Sequence, residues 1–271
     1  MMTGLLHAEW IKLRHLRITW LIPVIPVVLA LLGAIPPIFT LADIARQSDV
    51  AEILSAYAFP QPLLIGLQIA TALGSLLVVI FMTAIVGNEF AFDTWKTLLT
   101  RNAGRGRILM VKLSYALIET TAVLIIVPIA FQLGVLFALR AALGLTPALQ
   151  FAPGQLGSLG IDFSVAWVRL TIAATIGLLA TVVTRSHGGG TALAIPWLLA
   201  DLLVNGLAST GSMWRTLVPF TFNYNLAAFD AHLRGNASSV PLAQCLIALL
   251  VYTVGFAWLA VATFRQRDIA G

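Results

Sequence analysis

One cysteine, Cys245, stands in the whole chain. A lone thiol cannot close a disulfide within the chain, so a disulfide-stapled framework is excluded. In its apolar run it reads as a small buried hydrophobe. Charge is scarce as well, at 10% of 271 residues, where a soluble domain carries about 25%. With 59% hydrophobic residues and a mean hydropathy of +0.95, the chain cannot clothe a soluble surface. The four histidines (His7, His15, His187, His232) are scattered without metal-ligand spacing, and no metal site is expected. No cluster of His, carboxylate and Cys gathers at one depth, as a membrane-embedded enzyme would need. There is no Gly-x-x-x-x-Gly-Lys-Ser/Thr phosphate loop, so the chain is not expected to hydrolyse ATP by itself. No internal repeat is evident, although many secondary transporters carry one.

What the chain has instead is long apolar runs. A helix crosses the hydrocarbon core with about 20 apolar residues. Six runs qualify, at roughly 18–40, 63–86, 113–139, 164–184, 190–207 and 241–264. The fold class expected is an all-α membrane protein forming one transmembrane domain over 1–271. The first run follows a basic segment but is longer than a signal sequence's apolar region and lacks a small-x-small cleavage site, so it reads as a retained span.

Lysine and arginine set the orientation. With the N-terminus in the cytoplasm, eleven of the sixteen basic residues fall inside and five outside, the latter being Arg46, Arg140, Arg169, Arg215 and Arg234. Both termini are then cytoplasmic. The net charge of +5 needs no nucleic acid; it meets anionic lipid on the inner leaflet. Outside, residues 41–62 have room for a short helix. Residues 140–163 are rich in Gly and Pro and read as irregular. Residues 208–240 hold Trp214, Phe220, Phe222 and Tyr224 and read as short interfacial helices before the sixth span. The short "RSHGGG" turn makes the fourth and fifth spans antiparallel neighbours.

Glu119 lies in the third span, close enough to the interface to pair with a basic group. Asp201 lies in the fifth, with Asn205 one turn on. An intramembrane carboxylate is costly and therefore a functional candidate. With no basic partner assigned inside a span, a proton relay through Glu119 or Asp201 has little to rest on. Pro23, Pro26, Pro128 and Pro196 are expected to bend their helices, and Gly66 and Gly74 to permit close helix approach.

The stretch 88–112, "NEFAFDTWKTLLTRNAGRGRILMVK", carries seven charges between two apolar runs. On a helical wheel Ala91, Phe92, Trp95, Leu98 and Leu99 share an arc, and Glu89, Asp93, Lys96, Thr97, Thr100 and Arg101 the rest. Phe90 is the exception. Asn88 is placed to cap this helix, Asn102 and Gly104 to stop it, and "GRGR" to act as a hinge. An amphipathic cytoplasmic helix of this kind either lies on lipid or docks in a partner's groove. Residues 5–17 give a weaker version, an elbow helix turning into the bilayer near Arg17.

The segment resembles the cytoplasmic loop of ABC-2-type transporter permeases, the six-span, type V exporter-like class. Those proteins carry a Glu after the second span, a Gly-Thr pair, an apolar stretch, a basic turn and a Lys starting the third span. The matching residues are Glu89, Thr94, Arg107 and Lys112; the family's Gly before the Thr is Asp93 here. The resemblance implies a translocation subunit that pairs with a like or unlike second permease copy. It also implies docking on separate cytoplasmic ABC ATPase subunits, which hold the ATP and Mg. A coupling role would then fall to Glu89, Phe92, Thr94, Trp95, Leu98, Leu99, Arg101 and Arg107. It implies a multi-pass plasma (inner) membrane location and export of a drug, antimicrobial peptide or lipid-like molecule. The rival readings are a secondary transporter using Glu119 or Asp201 and a non-transporting membrane partner in a sensory complex.

Overall fold

The structure is a computed structural model describing residue 7, residues 10–35, residue 57 and residues 59–92, 104–143, 154–207 and 211–266. Among them every regular element is helical. Five helices are long and apolar enough to cross a membrane, and a shorter apolar helix precedes them.

Residues 10–14 form a helical segment that turns at His15 and Leu16 into α1 (Arg17–Gly33). Breaking a helix there leaves carbonyls without their usual amide partners. Side chains from α1 cover two of them: Thr19 Oγ1 donates to the Leu13 carbonyl at 2.7 Å, and Trp20 Nε1 to the Arg14 carbonyl at 2.9 Å. The chain therefore turns near Arg17, and side chains of α1 hold the turn. Pro23 and Pro26 lie within α1 without ending it.

The centre of the bundle is α2 (Gln61–Ala91), flanked by α3 (Arg105–Leu143) and α4 (Gln155–Thr184). At 1.5 Å per residue, the 31-residue α2 exceeds a hydrocarbon core of about 30 Å. Gly66 lets α2 and α3 touch at their backbones: a Cβ there would stand 2.6 Å from the Pro128 Cα. The core of Phe81, Met82, Leu109, Leu124, Leu170 and Leu178 lies between these three helices.

The turn from α4 to α5 (His187–Leu207) takes two residues. Arg185 adopts a left-handed φ of 54° and closes α4 with its N–H on Thr181, 2.8 Å away. Ser186 then opens α5, its Oγ accepting the Gly189 N–H at 2.9 Å, as an N-cap does. The two helices are adjacent, as the short turn requires. α5 buries a single stripe of Gly190, Ala194, Leu198 and Asp201, the helical spacing of one packed face.

Beyond it come α6 (Ser212–Leu217), a 3₁₀ turn (Val218–Phe220) and α7 (Phe222–Leu233). The last apolar helix joins α8 (Leu242–Leu250) to α9 (Phe256–Gln266) through a π turn, Val251–Gly255.

Three expectations are corrected. Residues 88–91 do not begin a new helix; they are the last turn of α2, and Asn88 is not an N-cap. Arg107 does not sit in a hinge: α3 starts at Arg105, with the Gly104 carbonyl accepting the Arg107 N–H at 2.8 Å. Residues 155–163 are not irregular but form the first turns of α4, despite Gly157 and Gly160. Glycine lowers helix propensity by only about 1 kcal/mol, and packing of Phe163 against the core outweighs it.

Candidate functional site

The chain's passes gather the basic segments at one end of the bundle. Gly87 of α2 meets the N-terminus of α5, where an added Cβ would lie 2.5 Å from His187 backbone atoms. Phe90 packs edge-on against Phe264 of α9, with ring centroids 6.1 Å apart. Gly106 of α3 lies under Val261 and Arg265. Phe90, the exception on the wheel, is thereby explained: it belongs to α2 and packs inward.

Glu89 is the hub of this end. It is 1% exposed, in the last turn of α2. An acid there is doubly disfavoured, by burial and by the negative end of the helix dipole. Two ammonium groups compensate it. Lys112 of α3, itself 0% exposed, donates to Glu89 Oε1 at 3.0 Å, and Lys12 of the N-terminal segment pairs with the same oxygen. One carboxylate thus ties three chain segments together. The wheel places Glu89 on the charged arc opposite the apolar one, but the residue is buried.

The other coupling candidates divide. Phe92 ends α2 and is 75% exposed. Arg107 is exposed on the first turn of α3. Thr94, Trp95, Leu98, Leu99 and Arg101 lie outside the described residues, as do Asp93 and Lys96.

Glu119 meets no basic group among the described residues. Among the described residues its hydrogen-bond partner is the Tyr115 hydroxyl, one turn back at 3.4 Å. Tyr115 stacks in turn with Trp10, 5.7 Å between ring centroids, and Phe81, 6.1 Å.

A second polar network lies toward the opposite end, centred on Asp201. Thr221 precedes α7, but its side chain gives no cap. It donates to the Val218 carbonyl and accepts from Asn205 Nδ2 at 2.9 Å. Asp201 supplies the cap from α5. Its Oδ1 accepts the Phe222 N–H at 2.8 Å and its Oδ2 the Asn223 N–H at 3.2 Å, with Asn223 Nδ2 on the same oxygen. A carboxylate facing free amides at a helix N-terminus is favoured by hydrogen bonding and dipole together.

Arg169 of α4 donates to Asn223 Oδ1. An amide therefore bridges an arginine of α4 and an aspartate of α5. The sequence reading assigned no basic residue inside a span and counted Arg169 as a loop charge. The early start of α4 puts it fourteen residues into the helix. Its position within the fourth run, 164–184, was the signal available.

The π turn completes this region. It brings Tyr252 to donate from its hydroxyl to the Phe220 carbonyl at 2.8 Å, while Thr175 of α4 donates to the Tyr252 carbonyl at 2.9 Å. Phe222, Tyr252, Phe256 and Trp197 form a chain of ring contacts. At the rim Arg234 pairs with Asp162 and Asp230. The hydrogen bonds to Asp230, foremost, hold its guanidinium above its ordinary pKa.

Multiple long apolar helices make this a multi-pass, all-α membrane protein. More narrowly, the chain belongs to the DUF2705 family, described as a protein of unknown function, whose model matches residues 49–270. No curated protein matches the chain.

Proposed function

We propose that this chain is the membrane-spanning subunit of an ATP-driven exporter whose ATPase is a separate polypeptide. It works as a pair with a second copy or a related chain. It crosses the plasma membrane six times, with α1 as the first pass and both termini in the cytoplasm. It moves an amphipathic substrate such as a drug, an antimicrobial peptide or a lipid-like molecule.

The observation that supports this reading most is the Lys12–Glu89–Lys112 cluster. Residues 93–103 leave the chain four residues after Glu89 and rejoin it nine residues before Lys112. Any push on that segment is delivered to a buried node joining α2, α3 and the N-terminal segment. A coupling element needs such a stiff anchorage, because packed elements transmit displacement by switching arrangement rather than by deforming. The loop's resemblance to ABC-2-type permeases, through Glu89, Thr94, Arg107 and Lys112, points the same way.

The secondary-transporter reading gains nothing from Asp201, whose oxygens are engaged in capping α7. Reconstitution with a candidate ABC ATPase from the same organism tests the proposal. Liposomes holding both proteins should export a candidate substrate only with ATP. Binding of the ATPase without transport would favour the sensory-partner reading instead.

A further inference from the structure

We propose that the cavity between α2, α4 and α7 binds an amphipathic anion, with its acidic oxygens on Arg169 and its apolar part along α2 and α4. The cavity measures about 550 Å³, within the roughly 300–1,000 Å³ of small-molecule sites. It has walls of two kinds. Leu64, Leu67, Val165 and Leu226 form the apolar one, and Gln68, Thr71 and Arg169 the polar one, with the Asp162–Arg234 pair at the rim.

Arg169 has donors to spare. A guanidinium carries five N–H groups in a fixed fork. Among the described residues it makes one hydrogen bond, to Asn223. Gln68, across the cavity, makes no side-chain hydrogen bond to the described residues. None of the nearby described acids hydrogen-bonds Arg169 directly, and Asp201 reaches it through the Asn223 amide. Asp162 pairs with Arg234, Arg234 also holds Asp230, and Asp201 accepts the α7 amides. Of the two arginines that line the cavity, Arg169 therefore has the less-used donors among the described residues. It lies two turns, about 10 Å, further along α4 than Asp162 at the rim.

The fork matches the paired oxygens of a carboxylate or phosphate, and it binds them more strongly where water is scarce. The leucine and valine wall next to it has no use for a small inorganic ion but fits an alkyl tail. The site lies within one chain, so it stands whether or not the protein partners an ATPase.

The test is isothermal titration of the purified full chain in a neutral maltoside detergent. The probes are dodecyl phosphate, dodecanoate, dodecanol and inorganic phosphate. Dodecyl phosphate and dodecanoate should bind saturably at one site. Dodecanol and inorganic phosphate should each bind at least about tenfold more weakly, the loss expected when charged hydrogen bonds or apolar contacts are removed. Arg169→Gln should weaken dodecyl phosphate by about tenfold. Ala72→Phe fills the cavity from an exposed position on α2 and should do the same without lowering the unfolding midpoint. Dodecanol binding as tightly as dodecyl phosphate would leave Arg169 without a role and overturn the proposal. So would inorganic phosphate binding as tightly, or unchanged binding in Ala72→Phe. If Arg169→Gln does not fold, the probe series and Ala72→Phe still decide.

Discussion

Lys112 Nζ lies 3.0 Å from Glu89 Oε1, and both side chains are shut off from solvent. The pair spans 23 residues of chain and fixes the ends of α2 and α3 to each other. Removing one partner strands the other charge. Glu89→Gln or Lys112→Met should each lower stability by about 3–5 kcal/mol. The double change Glu89→Leu with Lys112→Met should recover most of that loss, since an apolar pair of similar volume has no stranded charge. Lys12→Ala should cost about 1 kcal/mol or less, because the Lys12 side chain is 47% exposed. Thermal unfolding in detergent measures all four. Equal losses for the single and double variants would contradict the pairing.

Gly87 and Gly104 make a contrasting pair. A Cβ at Gly87 would stand 2.5 Å from the His187 backbone, whereas at Gly104 nothing lies within 4 Å. Gly87→Ala should therefore destabilise by about 1–3 kcal/mol, the usual cost of overpacking. Gly104→Ala should be close to neutral. The same unfolding measurement separates them, and a reversed order would mean that α2 and α5 do not meet there.

Asp201 is expected to behave as a helix cap. Asp201→Ala should cost about 0.5–2 kcal/mol and expose the start of α7, read as faster amide exchange at Phe222 and Asn223. Asp201→Asn keeps an acceptor oxygen and should lose less. If Asn abolishes transport while folding and ATPase binding survive, the ionised carboxylate has a transport role that capping does not explain.

Topology is open to labelling. Single cysteines at Arg105 and Ser238, in a Cys245→Ala background, should differ toward an impermeant thiol reagent applied to intact cells. Position 238 should react and position 105 should not. Equal labelling would overturn the six-pass arrangement.

The helices were legible because apolar runs of this length have few alternatives to spanning a bilayer. Their ends were not. Glu89 falls on the charged arc of the wheel, yet its counter-charges lie on other segments, and a wheel sees only its own helix. The Lys at 112 was visible as part of a motif, yet nothing in the spacing says that it reaches back to Glu89. Asp201 was flagged as a costly carboxylate, but its principal partners are backbone amides of α7, which leave no residue-type signal. Arg169 was misplaced because charge near the edge of an apolar run was assigned to the loop. The π turn at Val251–Gly255 carries Tyr252, which bonds Thr175 and Phe220, and no periodicity in the sequence announces it.

The central claim is that the segment after α2 couples this chain to a separate ATPase. Trp95, on the apolar arc of that segment, is the sharpest probe, since buried aromatics in grooved interfaces carry about 2 kcal/mol or more of the binding energy. The measurement is the affinity of a candidate ABC ATPase from the same organism for the wild-type chain and for Trp95→Ala, both in detergent with no bilayer present. The account predicts that the wild type binds and that Trp95→Ala weakens binding at least about tenfold while the chain still inserts and folds. Unchanged affinity in Trp95→Ala would contradict direct docking and leave the segment as an anchor on lipid.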